Sequence, residues 1–194
     1  GKIYAECINP NIELRAMTGR DEMKRLAKTN TNFKVMSDII EGCMIEKPKV
    51  HVYDMALADY EYLLHKLRVI SYGADYPMTI YCNECGKMSD VSVDLDSLTV
   101  REIDLDKFDA DSTITLPDSG DKIALNFQTP HLLDAIQTKS HEYEKKFKQA
   151  SVNFETLSKL VLTIHSVNDA KLTEFELETN LLDVWSAKDV RFIL

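Results

Sequence analysis

Between Leu57 and Gly73 the sequence commits to one long amphipathic helix and then forbids its continuation. Leu57, Tyr60, Leu64 and Leu67 recur at spacings of three and four, and Leu63 and Ile70 widen the stripe. Arg68 stands about one turn before the end. There a cation complements the negative end of the helix dipole and can reach an acidic partner. Gly73 occupies the place of a C-terminal cap, and Pro77 lacks the N–H that a restarted helix would need. The style then changes. "MTIYC" and "MSDVSVDL" read as strands and flank Cys82 and Cys85 as the two arms of a hairpin would.

The remaining segments sort around that break. "KIYAEC" and "NIELRAMT" alternate apolar with polar and predict half-buried strands. Thr18 with Asp21 has the spacing of a capping box and predicts a helix from about Gly19 to Lys28. A short helix over 33–41, carrying Phe33, Met36, Ile39 and Ile40 on one face, is expected to end at Gly42. "TVREIDL" suggests a further strand, and "STITLPDSGDKIALNF" a second hairpin turning at "PDSGD". Thr129 and Pro130 open a helix over 130–150, with Ile136, Tyr143, Phe147 and Ala150 on one face. A following helix carries Phe154, Leu157, Leu160, Val161 and Ile164. Short helices close the chain, with Thr173 and Ser186 as caps, and Ser186 to Asp189 repeats the capping-box spacing. The expected fold class is α+β, a mostly helical protein with a small antiparallel β insert, a zinc-knuckle-like hairpin, in the middle. Residues 1–76 would supply strands and helices, 77–128 the insert, and 129–194 helices packing back on the first part.

Charge limits the function classes. The net charge is −9. Residues 1–50 hold 9 Lys/Arg and 7 Asp/Glu, whereas the remainder holds 14 and 25. A nucleic-acid binder would show a basic face, so this balance argues against that role. No run approaches the roughly 18 apolar residues of a membrane span. The sequence opens on Gly1, read as a trimmed end or tag remnant, and closes on the apolar "DVRFIL", so the natural chain is expected to continue past Leu194.

Four cysteines in 194 residues do not make a disulfide framework. Cys7 and Cys43 read as lone buried thiols. Cys82 and Cys85, followed by Gly86, match half of a zinc site, because a tight knuckle turn aims two thiolates at one metal. No second C-x-x-C exists in the chain. Two readings stay open. Zinc is held with help from elsewhere, from Cys43, Cys7, His51, His65 or another chain, or the hairpin keeps only the shape of a knuckle. The acidic run "DLDSLTVREIDLDKFDAD" lacks the central Gly and twelfth-position Glu of a calcium loop and reads as a solvated edge. The five histidines are scattered. No phosphate loop, H-E-x-x-H or activated nucleophile is present, so the expectation is that the protein is not an enzyme.

Four stretches, taken in order, go further. "IELRAMTGRDEMKRL", "DIIEGCMIE", "LADYEYLLHKLRVISYGADYPMTIYCNECG" and "VDLDSL" span residues 12–98. Together they resemble the baseplate hub and hub-assembly proteins of T-even (T4-like) contractile-tailed bacteriophages. The resemblance implies a late structural or assembly protein acting through protein–protein contacts with other hub, spike or tape-measure proteins, in the host cytoplasm and then in the virion tail, with oligomers allowed. It carries over Cys82 and Cys85 as the knuckle, Cys43 as a core thiol, and Arg68, Ser71, Tyr72 and Gly73 as the helix end. Residues 77–128 would then be a docking module whose acidic edge meets a basic partner. The alternative is a zinc-ribbon-like adaptor for a host factor or nucleic acid.

Overall fold

A computed structural model of the chain describes residues 3–4, 11–28, 31–104, 106, 113–147 and 152–194. The N-terminal half is helical: α1 (Gly19–Arg25), α2 (Asn32–Cys43) and α3 (Leu57–Tyr72), with a 3-10 turn at Val52–Asp54. The first hairpin follows as β1 (Asp75–Tyr81) and β2 (Met88–Asp94), then a 3-10 turn at Leu95–Ser97. The C-terminal half comprises β3 (Thr113–Thr115), β4 (Lys122–Leu125), α4 (Pro130–Lys146), α5 (Phe154–Thr163), β5 (Ile164–Val167), α6 (Glu174–Thr179), a π-turn at Asn180–Val184 and α7 (Ala187–Ile193). The chain is therefore α+β and mostly helical, as its periodicities predict.

Two apolar clusters form the interior. The first joins Ile39, Ile40 and Cys43 of α2 to Val52, Met55 and the α3 stripe of Tyr60, Leu63 and Leu67. Burial raises the Cys43 thiol above its ordinary pKa. Ile70, expected to widen this stripe, is exposed. The second cluster gathers Leu116, Ile123, Tyr143, Leu157, Leu160, Leu177 and Trp185. The two halves meet where α4 lies against α2 and the 52–54 turn. There Tyr53 stacks on His131 with ring centroids 4.7 Å apart, and Leu57 N–H donates to Gln128 O at 2.8 Å.

Several expectations are corrected. "NIELRAMT" forms a single bridge, Leu14 to Met44, rather than a strand. Its backbone instead crosses the end of α2, where Arg15 N–H donates to Cys43 O at 2.9 Å and Ile45 N–H to Glu13 O at 3.0 Å. α2 continues through Gly42 to Cys43. Residues 99–104 of "TVREIDL" form no strand. "KIYAEC" with Cys7 lies largely outside the described residues, as does Ala150.

Residues 77–128, expected as one insert, are divided between two sheets. β1 and β2 pair only with each other, whereas β3 and β4 continue into β5 in the order β3-β4-β5. Ile164 and His165 thus belong to a strand. Asn168 and Asp169, at φ 51° and 64°, turn the chain back after it, and the Asn168 carboxamide accepts the Lys122 N–H at 2.9 Å and donates to Asp121 at 2.8 Å.

Candidate functional site

The stretches that carried the family resemblance are far apart in sequence and converge in space around the end of α3. Thr18 caps α1, with Asp21 returning the bond in a capping box. Asp21 is buried and also takes Arg15 Nη1 at 3.0 Å, while Arg15 Nη2 reaches Gly42 O at 2.7 Å. One guanidinium thereby ties the start of α1 to the last turn of α2, where a cation complements the dipole. Met17 N–H donates to Ser71 Oγ at 3.0 Å, and the Tyr72 hydroxyl donates to Glu22. Arg25 and then Tyr72 hold the Glu22 carboxyl at about 2.

Arg68 completes the joint. Its Nη1 donates to Gly73 O at 3.0 Å, and its guanidinium lies over the rings of Tyr72 and Tyr76 at 4.9 and 5.5 Å. Gly73 turns the chain at φ 90°, in a region that favours glycine. Leu95 N–H then donates to Ala74 O at 3.0 Å, closing the base of the hairpin. The "SYG" and "VDL" pieces are therefore the hinge plates of a projecting arm.

Asp21 offers a direct check on this joint. The Thr18 backbone N–H, then its hydroxyl, and less strongly Arg15 hold the Asp21 carboxyl at about 2, against an ordinary 3.8. A depressed folded-state value means stability that is present above the unfolded value and lost as pH falls. The difference in urea midpoint between the native chain and Asp21→Asn should be full above pH 4 and shrink progressively toward pH 2. Parallel midpoints across that range would refute the role.

The arm has two chemically distinct faces. Its register pairs Tyr76 with Val93, Met78 with Val91 and Ile80 with Ser89 on one face, and Asp75 with Asp94, Pro77 with Ser92 and Thr79 with Asp90 on the other. The first face is apolar: Tyr76 is 44%, Met78 41%, Ile80 47% and Val91 36% exposed. The second is acidic, with Thr79 Oγ1 donating to Asp90 at 2.7 Å. The strands themselves are legible in "MTIYC" and "MSDVSVDL". What sequence could not supply is that the face stays exposed beyond its base, where Arg68 lies over Tyr76.

At the tip, Cys82 and Cys85 stand on one tight turn. Cys82 N–H donates to Lys87 O and Gly86 N–H to Cys82 O, both at 2.9 Å, and Gly86 turns at φ 68°. The backbone N–H of Cys85, then that of Glu84, and then the Cys85 thiol hydrogen-bond the Cys82 sulfur and hold its pKa below the ordinary thiol value. Both residues are free thiols and exposed. Cys43 is buried in the first cluster, and His51 faces Glu41 at 3.2 Å. Among the described residues no group of three His, Cys, Asp or Glu side chains is placed to hold a metal. Cys7 lies outside the described residues.

A protein-family model described as T4 bacteriophage base plate protein matches residues 4–188. No curated protein and no solved structure matches the chain.

Proposed function

The chain belongs to the T4 bacteriophage base plate protein family, and from that premise we propose that it serves the central hub of the baseplate as a non-catalytic structural or assembly protein, docking a neighbouring hub protein on the β1–β2 arm. The observation that carries this reading is the exposed apolar face of Tyr76, Met78, Ile80 and Val91 on a hairpin whose two strands form a sheet of their own. A two-stranded hairpin alone is marginal in water, and contiguous exposed apolar surface marks an interaction site. Each of these side chains is already part covered. Completing their burial would contribute roughly 1 kcal/mol apiece, on the order of 4 kcal/mol for the face.

The partner's chemistry follows from the flanks. Asp75 and Asp94 face each other at the base of the arm, and Asp90 lies on the same side. Like charges directly opposite are unfavourable, so a partner with an apolar strip bordered by Lys or Arg gains twice. The same acids disfavour a phosphate polymer. No helix among the described residues is long and apolar enough to cross a membrane, and the arm needs none for this role.

The test is a phage whose copy of the chain carries Met78→Asp and Ile80→Asp. Two hot-spot losses of about 2 kcal/mol each should reduce complete baseplates in infected cells by at least about tenfold. Because both side chains are exposed, the isolated variant should keep its stability to within about 0.5 kcal/mol. Normal baseplate yield from this phage would exclude docking on the arm.

A further inference from the structure

We propose that Cys82 and Cys85 bind one zinc ion together with the same two residues of a second copy of this chain, so that a four-thiolate site joins two hairpin tips. The inference goes beyond the docking face and does not depend on it. It begins with the turn itself. Cys82 N–H donates to Lys87 O and Gly86 N–H to Cys82 O, both at 2.9 Å, and Gly86 turns at φ 68°, so two exposed free thiols sit on one tight turn. Strands rather than a helix follow the pair, which is unlike the helix-opening redox C-x-x-C.

Ligand number then selects the partner. A closed structural zinc site takes four ligands in tetrahedral geometry, and two are present at the tip. Of the other described candidates, Cys43 lies in the first cluster, His51 beside Glu41 and His65 on α3, so none belongs to the hairpin. A twofold axis through the metal supplies two further, identical sulfurs from residues this chain already has, as an isologous contact requires. A foreign partner would have to bring a cysteine pair of its own. On binding, each thiol gives up its proton to solvent and no redox change is needed.

An apolar collar surrounds the turn and is separate from the docking face. Tyr81 pairs with Met88 at the last register position, beside the acidic face. They are 57% and 74% exposed, and the Tyr81 hydroxyl lies 3.5 Å from where a Cβ on Gly86 would stand. Two tips meeting at a metal would cover both copies of this collar. The faces of Tyr76, Met78 and Ile80 would stay open on each arm.

The full chain, reduced and titrated with zinc alone, should give a native mass of two chains with one zinc, reverting to one chain with a chelator. Cobalt in place of zinc should show the intense visible bands of four-thiolate tetrahedral coordination. Cys82→Ser with Cys85→Ser should lose the metal and the dimer together while melting like the native chain, since the tip is exposed. Met78→Asp with Ile80→Asp should keep the zinc-linked dimer, which separates this outcome from docking failure. One zinc on a single chain, a dimer that survives the chelator, or no zinc uptake would each overturn the proposal.

Discussion

Asp189→Ala should lower the stability of the chain by about 3 kcal/mol or more, a large fraction of what a domain of this size holds in reserve. Asp189 is 1% exposed, and its two oxygens accept the backbone N–H groups of Asp118 and Ser119 at 2.8 and 3.1 Å. Hydrogen bonds to a charged group contribute about 1.5–3 kcal/mol each, and donors left behind in the interior lose water as well. The clamp is reciprocal. The Asp118 carboxylate takes Ser186 Oγ and Lys188 Nζ, both at 2.7 Å, so the β3–β4 turn and the start of α7 hold each other. Asp189→Asn keeps a single acceptor oxygen and should show about half the loss. The lone tryptophan is a built-in probe, because Trp185 lies in the same cluster and donates to Asp121 at 2.8 Å. A urea midpoint, followed by its fluorescence, that changes by less than about 1 kcal/mol would show that the turn is not held by this carboxylate.

That clamp also marks how far sequence reasoning reaches. Thr18 with Asp21 and Ser186 with Asp189 have the same spacing, and both were readable as caps. At Thr18 the box closes on itself. At Ser186 the hydroxyl accepts the Asp189 N–H at 3.1 Å, but the Asp189 side chain leaves for a turn some seventy residues away. Spacing reports the local bond and is silent on the distant one. The same limit explains β5. Ile164 continues the three-and-four spacing of Leu157, Leu160 and Val161, so periodicity favoured a longer helix, and only pairing with Ile123, Ala124 and Leu125 makes a strand of 164–167. "NIELRAMT" erred in the opposite direction, since its alternation fits an extended chain whose hydrogen bonds go to a helix end instead of a sheet. By contrast the α3 stop at Gly73 and the turn at Gly86 are legible, because a cap and a tight turn are local objects. The docking face was half legible. Its strands are in the sequence, but its exposure depends on where every other element packs.

Asp134→Ala should cost about 3 kcal/mol and, more tellingly, loosen the coupling between the two apolar clusters. Asp134 sits on α4, is 2% exposed, and caps α2 from across the fold: its Oδ2 accepts the Lys34 N–H at 2.9 Å. Lys34 is in the first turn of α2, where unsatisfied N–H groups and the dipole favour a carboxylate. The same oxygen accepts the Tyr53 hydroxyl at 3.0 Å, and burial followed by this bond pushes the Tyr53 pKa to about 12. One atom therefore joins α4, α2 and the 52–54 turn. Its removal orphans a helix N–H and a phenol at once, for about 1.5–3 kcal/mol per charged bond. Asp134→Asn should be milder than alanine, because a carboxamide oxygen can still accept both donors, but its NH2 would take the buried place of Oδ1, which has no partner among the described residues. Tyr53→Phe, which removes one donor cleanly, should cost about 1 kcal/mol. In the alanine variant, unfolding followed by Trp185, in the C-terminal cluster, should separate from unfolding followed by far-ultraviolet dichroism, which α2 and α3 also feed. Coincident transitions would mean that the Tyr53–His131 stack and the Leu57–Gln128 bond suffice to keep the halves together. Separate transitions would identify Asp134 as the residue through which the C-terminal half steadies α2, and through Arg15 and Asp21 the base of the projecting arm.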